Sequence, residues 1–504
     1  MKSLTRRGVL AGLGALAAAP LQAQVTGSPV PRPRPQMAGA ARPAAPAAVV
    51  RHDVGPASNA LIDSFRLGGE VTFQLRDAVT GEVLAGRGAD DPMMPASTCK
   101  TITTAYALDH LGPAYRFRTR LLATGPLRQG RLEGDLILAG GGDPTLSSDD
   151  IDALLDQLAA LGLREISGGF KVWDDALPYV AEIDPGQPDH LGYNPAVSGL
   201  NLNFNRVHFQ WKQQGSGYDI DMDARADHVV PPVRMVTMST SNRSGPIFEV
   251  EAAPPGQEAW TVARPALGGA GARWLPVRDT QRYTAEVMRT LAAMRSPAVV
   301  LPEPEYIDEL PPAVPVGLHQ SAPLTDVARE MLKYSTNLTA EVLGLTATKA
   351  RTGATPADLT ASAAEMTAWA QGIGMTESHL VDHSGLGPDS RVTARDMSLM
   401  LHHIGLDGPL WPLLKHVDLY NKQGKAEPFQ LRAKTGTLNF VSCLVGYIRR
   451  PSKPPLIFAI HTAEEERRAK IAPGDEERPA GSHGWTTRSR AMQYDLIRLW
   501  SDKA

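Results

Sequence analysis

Apolar and polar positions follow two different periods along the chain. From Ala60 to Gly88 the sequence reads ALIDSFRLGGEVTFQLRDAVTGEVLAGRG, a short helical stretch followed by two strand-like ones, joined by DAVTGE, which has the composition of a hairpin turn. A helix is expected to open at Ser97 and to run through Ile102, Tyr106 and Leu111 until Gly112-Pro113 stops it. Between about Arg116 and Leu318 the character changes to short strands, glycine turns and proline-rich joins, read as inserted α/β and β-rich material. Helical periodicity returns from Leu324 to about Thr352 and again from Pro356 to Gly372. The segment FVSCLVGYIRRPSKPPLIFAIHT then predicts an antiparallel strand pair around a Pro/Lys turn, and SRAMQYDLIRLW a final amphipathic helix docked on a sheet. No fixed-period repeat is visible.

Composition narrows the class. The chain has 504 residues, 42% hydrophobic and 21% charged, enough for two to four packed domains. A net charge of -3 gives no global reason to bind nucleic acid. Two cysteines, Cys99 and Cys443, exclude a disulfide framework and allow at most one bridge. The start MKSLTRRGVLAGLGALAAAPLQAQV has the three-part pattern of a secretory signal, with a small-residue cleavage site ending at Ala23. Arg6-Arg7 before the apolar run fits either the twin-arginine route or an ordinary signal. No later stretch reaches the roughly 18 apolar residues of a membrane span, so the expected destination is a bacterial periplasm. From residue 24 to 56 a Pro/Ala/Arg tract without apolar periodicity reads as an extended linker.

Chemistry enters with PASTCKTIT, which places Ser97 three residues before Lys100, on one face of a helix. That spacing sets a base beside a nucleophile, yet a pattern with two fixed residues occurs about once by chance in a chain this long. Two further motifs change its weight. KYSTNLTAE supplies Ser335-Thr336-Asn337, and LRAKTGTLNF supplies Lys434-Thr435-Gly436 before the terminal strand pair. Ser-x-x-Lys, Ser-x-Asn and Lys-Thr-Gly in that order form the joint signature of penicillin-recognising serine acyltransferases. Gly140-Gly141-Gly142 lacks the Lys-Ser/Thr of a phosphate loop and reads as a turn, so no cofactor is implied.

With these motifs the sequence resembles the D-alanyl-D-alanine carboxypeptidase/endopeptidase family, the low-molecular-mass class C penicillin-binding proteins. GDLILAGGGDPTL, YNPAVSGLNLNFN and DHSGLGPDS are similar to family segments and come in the family order. Roughly 240 residues separate Ser97 from Ser335, more than a plain serine β-lactamase domain accommodates. The resemblance implies an α/β (α+β) penicillin-binding fold, an antiparallel sheet flanked by helices. Its catalytic domain would span 57–117 and 320–504, with insertion domain II at 118–145 and 215–319 and a nested domain III at 146–214. It implies Ser97 as nucleophile, Lys100 as candidate base, Ser335 as proton relay and Asn337 as the residue holding Lys100 and the peptide backbone. Which of Lys100 and Ser335 first accepts the proton stays open. Lys434 is expected to depress the Lys100 pKa by its charge. With Thr435 and Thr437 it would also bind the terminal carboxylate, while Gly436 would let the substrate backbone approach. The backbone N–H groups of Ser97 and Thr437 would form the oxyanion hole.

The implied partners are peptidoglycan stem peptides and, as covalent inhibitors, β-lactams. A β-lactamase or esterase and a non-catalytic wall-binding protein are the alternatives. Where the family often carries an arginine that grips a diaminopimelate carboxylate, this chain has Pro388, with Arg391 three residues on. Trp173, Asp174 and Asp175 in VWDDALP are similar to the segment that meets the diaminopimelate amine, and Asp174 is the candidate. Thr336 replaces the usual Asp of the second motif. His402-His403 lack a third metal ligand and read as a helix-surface pair, so no metal is expected. Glu464 to Arg468 reads as a solvated charged segment, and Ser384 in DHSGLG as a structural residue.

Overall fold

The computed structural model describes residues 54–295, 299–421, 423–472, 474–477 and 479–504. The signal peptide and all of the linker before Val54 lie outside the described residues; the first helix, Gly55–Phe65, already begins inside the stretch read as linker.

A six-stranded sheet organises the part of the molecule that carries the three motifs. Its order is Lys415–Val417, Gln430–Leu438, Val441–Arg450, Lys453–Ala463, Glu70–Asp77 and Val83–Arg87, antiparallel throughout. Both faces are covered, which explains why the terminal strand pair is apolar at nearly every position rather than alternating. On one face Phe73, Leu444, Phe458 and Ile460 pack against Trp485, Met492, Leu496 and Trp500 of the C-terminal helix Ser482–Lys503. On the other, Val445, Tyr447, Ile457 and Ala459 meet the helices Cys99–Leu111, Asn337–Thr352 and Ala394–Ile404. The expected hairpin is present: Asp77 Oδ1 accepts from the N–H groups of Val79 and Thr80 at 2.8 and 2.9 Å.

Two local expectations change. A 3₁₀ turn, Ala96–Thr98, precedes the α-helix Cys99–Leu111, so Ser97 sits on the turn and Lys100 in the first helical turn. The periodicity from Leu324 to Thr352 is not one helix but two, Leu324–Tyr334 and Asn337–Thr352. Ser335 breaks it in the left-handed region (φ 63°), its N–H closing the first helix on the Met331 carbonyl at 2.7 Å. Apolar positions continue across the break because both helices pack into the core, the first along one face and the second buried at every position from Leu338 to Thr348, so the pattern alone could not show it.

The inserted residues build a mixed five-stranded sheet, ordered Pro304–Tyr306, Phe170–Trp173, Leu136–Ala139, Arg118–Ala123, Val314–Gln320. The helices Ser148–Ala160 and Thr280–Met294 cover one of its faces through Leu154, Leu158, Val287 and Leu291. Strand pairing crosses the boundaries expected for the nested domain. Phe170–Trp173 lies between strands on either side of 146–214, and Arg206–Gln214 forms a hairpin with Gly217–Asp223 across residue 214. The glycine-rich QQGSGY forms that hairpin turn. Cys99 and Cys443 are separate buried free thiols. No helix among the described residues is long and apolar enough to cross a membrane.

Trp500 is fully buried, lies 5.3 Å from Phe73 between ring centroids, and donates its indole N–H to Ser58 Oγ at 2.8 Å. Trp500→Ala should therefore destabilise the protein by about 3–5 kcal/mol, read as a lowered urea midpoint at unchanged slope.

Candidate active site

Ser97 owes its position to a turn that is clamped from two sides. Thr98 Oγ1 donates to the Pro95 carbonyl at 2.6 Å, and Ala96 is held at φ 46°, a conformation L-residues avoid. Gly385, in DHSGLG, lets the Ala96 carbonyl come so close that a side chain at 385 would collide with it. From the other side comes Gly436, where a Cβ would lie 2.7 Å from the Pro95 carbonyl oxygen. The close approach that the structure shows at Gly436 is thus to the nucleophile turn.

Behind Ser97 stands Lys100, fully buried. Its Nζ hydrogen-bonds Ser97 Oγ at 3.0 Å, Asn337 Oδ1 at 2.7 Å and the Ser384 carbonyl at 2.8 Å. Burial pulls its pKa from the ordinary lysine value down to about 8, against the carboxylates of Glu341 and Asp382, which raise it. Sequence reading missed these carboxylates. Glu341 lies four residues after Asn337, on the same helix face, inside the segment that already carried the second motif. Its two oxygens accept from the N–H groups of His383 and Ser384, both at 2.9 Å, and burial pushes its pKa up to about 8. Asp382 accepts from the N–H groups of Gly385 and Gly387 at 2.7 and 2.6 Å, and burial raises its pKa as well. Together they fix the loop that presents the Ser384 carbonyl to Lys100. Ser384 thus acts through its backbone.

A second serine–lysine pair faces the first. Ser335 Oγ hydrogen-bonds Lys434 Nζ at 3.0 Å, and that amine also donates to the Thr435 carbonyl at 2.6 Å. Lys434 is nearly fully buried, and burial, then the charges of Lys100 and Lys415, push its pKa well down. Burial is the main cause that depresses both amines, and the two lysines, brought to one cleft, disfavour each other's charge. Asn337 uses its amide twice, accepting from Lys100 and donating to the Tyr193 carbonyl of the inserted region at 2.9 Å.

Ser97, Ser335, Asn337 and Thr437 all line one cleft of about 1150 Å³, whose far walls include Gln187, Tyr193, Leu386, Arg468 and Arg490. Lys100 and Lys434 back it through their serines. Thr435 is exposed outside the cleft lining, while Thr437 Oγ1 accepts from Arg490 at 3.0 Å. Asp174 is not part of this lining; it is buried, accepts a hydrogen bond from Gln281, and its pKa is raised by that burial. Arg391 does not line the cleft either, since it donates to the Pro388 carbonyl at 2.6 Å and pairs with Glu465. The cleft cations are Arg468 and Arg490. Arg468, read from sequence as part of a solvated run, is half-buried and donates to the Asn439 carbonyl at 3.0 Å. His402 and His403 lie in the last turn of Ala394–Ile404, away from this site.

Comparison with known proteins agrees with the geometry. The profile of the D-Ala-D-Ala carboxypeptidase 3 (S13) family matches residues 58–477. A D-alanyl-D-alanine carboxypeptidase of Actinomadura sp. (strain R39) is 27% identical over 410 residues, 74% of each chain. The D-alanyl-D-alanine carboxypeptidase DacB of Haemophilus influenzae is 24% identical over 441 residues, 81% of this chain and 89% of the relative. The crystal structure of penicillin binding protein 4 (dacB) from Haemophilus influenzae superposes with a TM-score of 0.71 at 21% identity, covering 87% of this chain and 99% of that one. The same protein complexed with a β-lactam matches with a TM-score of 0.69. With its fold and both serine–lysine pairs in place, this chain belongs to the D-Ala-D-Ala carboxypeptidase 3 (S13) family.

Proposed function

We propose that the protein is an exported, periplasmic active-serine peptidase that removes the terminal D-alanine of peptidoglycan stem peptides through an acyl-enzyme, also opens D-alanyl crosslinks as an endopeptidase, and is acylated by penicillin. The observation that carries this reading is the pair of serine–lysine hydrogen bonds, each 3.0 Å, whose serines share one cleft.

The chemistry follows from the geometry. Ser97 Oγ attacks the carbonyl of the penultimate D-alanine as its proton moves to the Lys100–Ser335 side of the cleft. The C–N bond breaks, an ester forms on Ser97, and the proton ends on the departing D-alanine amine, with Ser335 backed by Lys434 as the relay. Water then cleaves the ester and restores the Ser97 hydroxyl. Beyond Ala433 the Gln430–Leu438 strand has no partner on its outer edge among the described residues, since Lys415–Val417 pairs only with Leu431–Ala433. An extended peptide can add there as a further strand, bringing its carbonyl to the N–H groups of Ser97 and Thr437. Arg490, held on Thr437, supplies charge for the terminal carboxylate.

Labelled penicillin tests the reading directly. A long-lived adduct on Ser97 that is absent from Ser97→Ala is expected; rapid label loss with drug hydrolysis marks a β-lactamase, and no label marks a scaffold. Since the neutral amine is the base, the acylation rate should rise with pH and level off above about 8. Lys100→Met should lower acylation at least about 10³-fold and abolish that rise. Arg490→Leu should raise KM about tenfold for peptides ending in a free carboxylate but leave it unchanged for the C-terminal amide, measured by D-alanine or D-alaninamide release.

A further inference from the structure

The five-stranded sheet of the inserted region carries a feature the catalytic cleft does not use. Arg118 and Arg120 alternate with the buried Thr119 on one strand, so both point to the face opposite the helices. Gln320, paired with Arg118 on the neighbouring strand, shares that face. Together with Tyr115 and Arg116 they line a groove of about 580 Å³ that has no residue in common with the catalytic cleft. None of the three guanidiniums is paired with a carboxylate among the described residues, and no acidic side chain lines the groove. Elsewhere on the sheet charge is matched: Lys171 meets Asp135 at 3.0 Å, and His319, on the opposite face, sits between Asp143 and Asp150 at 3.2 and 3.4 Å. Three uncompensated positive charges in a chain of net charge -3 are therefore a local exception. The groove is also built: Arg116 donates to the Ser321 carbonyl at 2.6 Å, and the Tyr115 ring stands edge-on against Phe117 at 5.1 Å.

We propose that this groove is a second binding site for the wall polymer, in which Arg118 and Arg120 pair with carboxylates of stem peptides that are not being cleaved. Residues two apart on a strand have Cα atoms about 7 Å apart, so Arg118 and Arg120 can each meet a separate carboxylate of a chain that bears several, and a planar guanidinium holds a carboxylate through two parallel N–H···O bonds. The choice of polymer rests on the function proposed above, and holding the polymer at a second point raises the local concentration of its stem peptides at the cleft.

The test uses full-length mature protein, first acylated with penicillin so that the cleft is blocked, and co-sediments it with purified peptidoglycan sacculi. The Arg118→Gln/Arg120→Gln variant should bind about tenfold more weakly than the parent, and amidating the sacculus carboxylates should erase the difference. The Arg118→Lys/Arg120→Lys variant, with thermal melting of both variants, reports on folding and should bind between the two. Equal binding of parent and Gln variant, or a difference that survives amidation, would overturn the proposal. Hydrolysis of a short D-Ala-D-Ala peptide by the unblocked proteins should be the same in all; its absence from the parent would instead count against the function proposed for the cleft.

Discussion

A lysine ammonium closed off from water needs a partner for every N–H, and the centre of this protein is arranged around that need. Lys100 is buried, and its three partners come from three parts of the chain: the nucleophile Ser97, the Asn337 amide and the Ser384 carbonyl. Removing water weakens the charged form of the amine, and the same burial keeps the nearby carboxylates of Glu341 and Asp382 from restoring it fully. The site can therefore hold an amine that gives up its proton near physiological pH.

Close packing, more than flexibility, explains the glycines of the motifs. Gly385 and Gly436 press on the Pro95–Thr98 turn from opposite sides and hold Ala96 in a conformation that costs about 1–2 kcal/mol in isolation. The strain is maintained because the turn is fixed between the Gln430–Leu438 strand and a loop whose N–H groups are held by buried carboxylates. The inserted region joins the same framework, since the Tyr193 carbonyl accepts from the Asn337 amide nitrogen. A change in the insertion can thus reach the base through a single amide.

Much of this was legible in the sequence. The three motifs are short and locally encoded, and the apolar runs around Val441–Ala463 show a strand pair covered on both faces. What stayed hidden depends on contacts between residues far apart in the chain. Glu341 looks like any helical glutamate until His383 and Ser384 fold onto it, and Arg468 looks solvated until the cleft closes around it. The break at Ser335 escaped because hydrophobic periodicity reports which side is buried, not whether the backbone is continuous. The strand pairing of the insertion escaped for a related reason: which strands become neighbours depends on residues far apart in the chain. The surroundings of Asp174, held among Gln281 and Ser198 by the insertion's own packing, likewise come from residues distant in the chain.

The most direct test of the claim that burial turns Lys100 into a base is to titrate that amine itself. With lysine side chains labelled and Lys100→Arg used to assign its signal, NMR should show Lys100 losing its proton with a midpoint near 8, well below the exposed lysines. A Lys100 that stays protonated alongside the exposed lysines, above pH of about 10, would contradict the account.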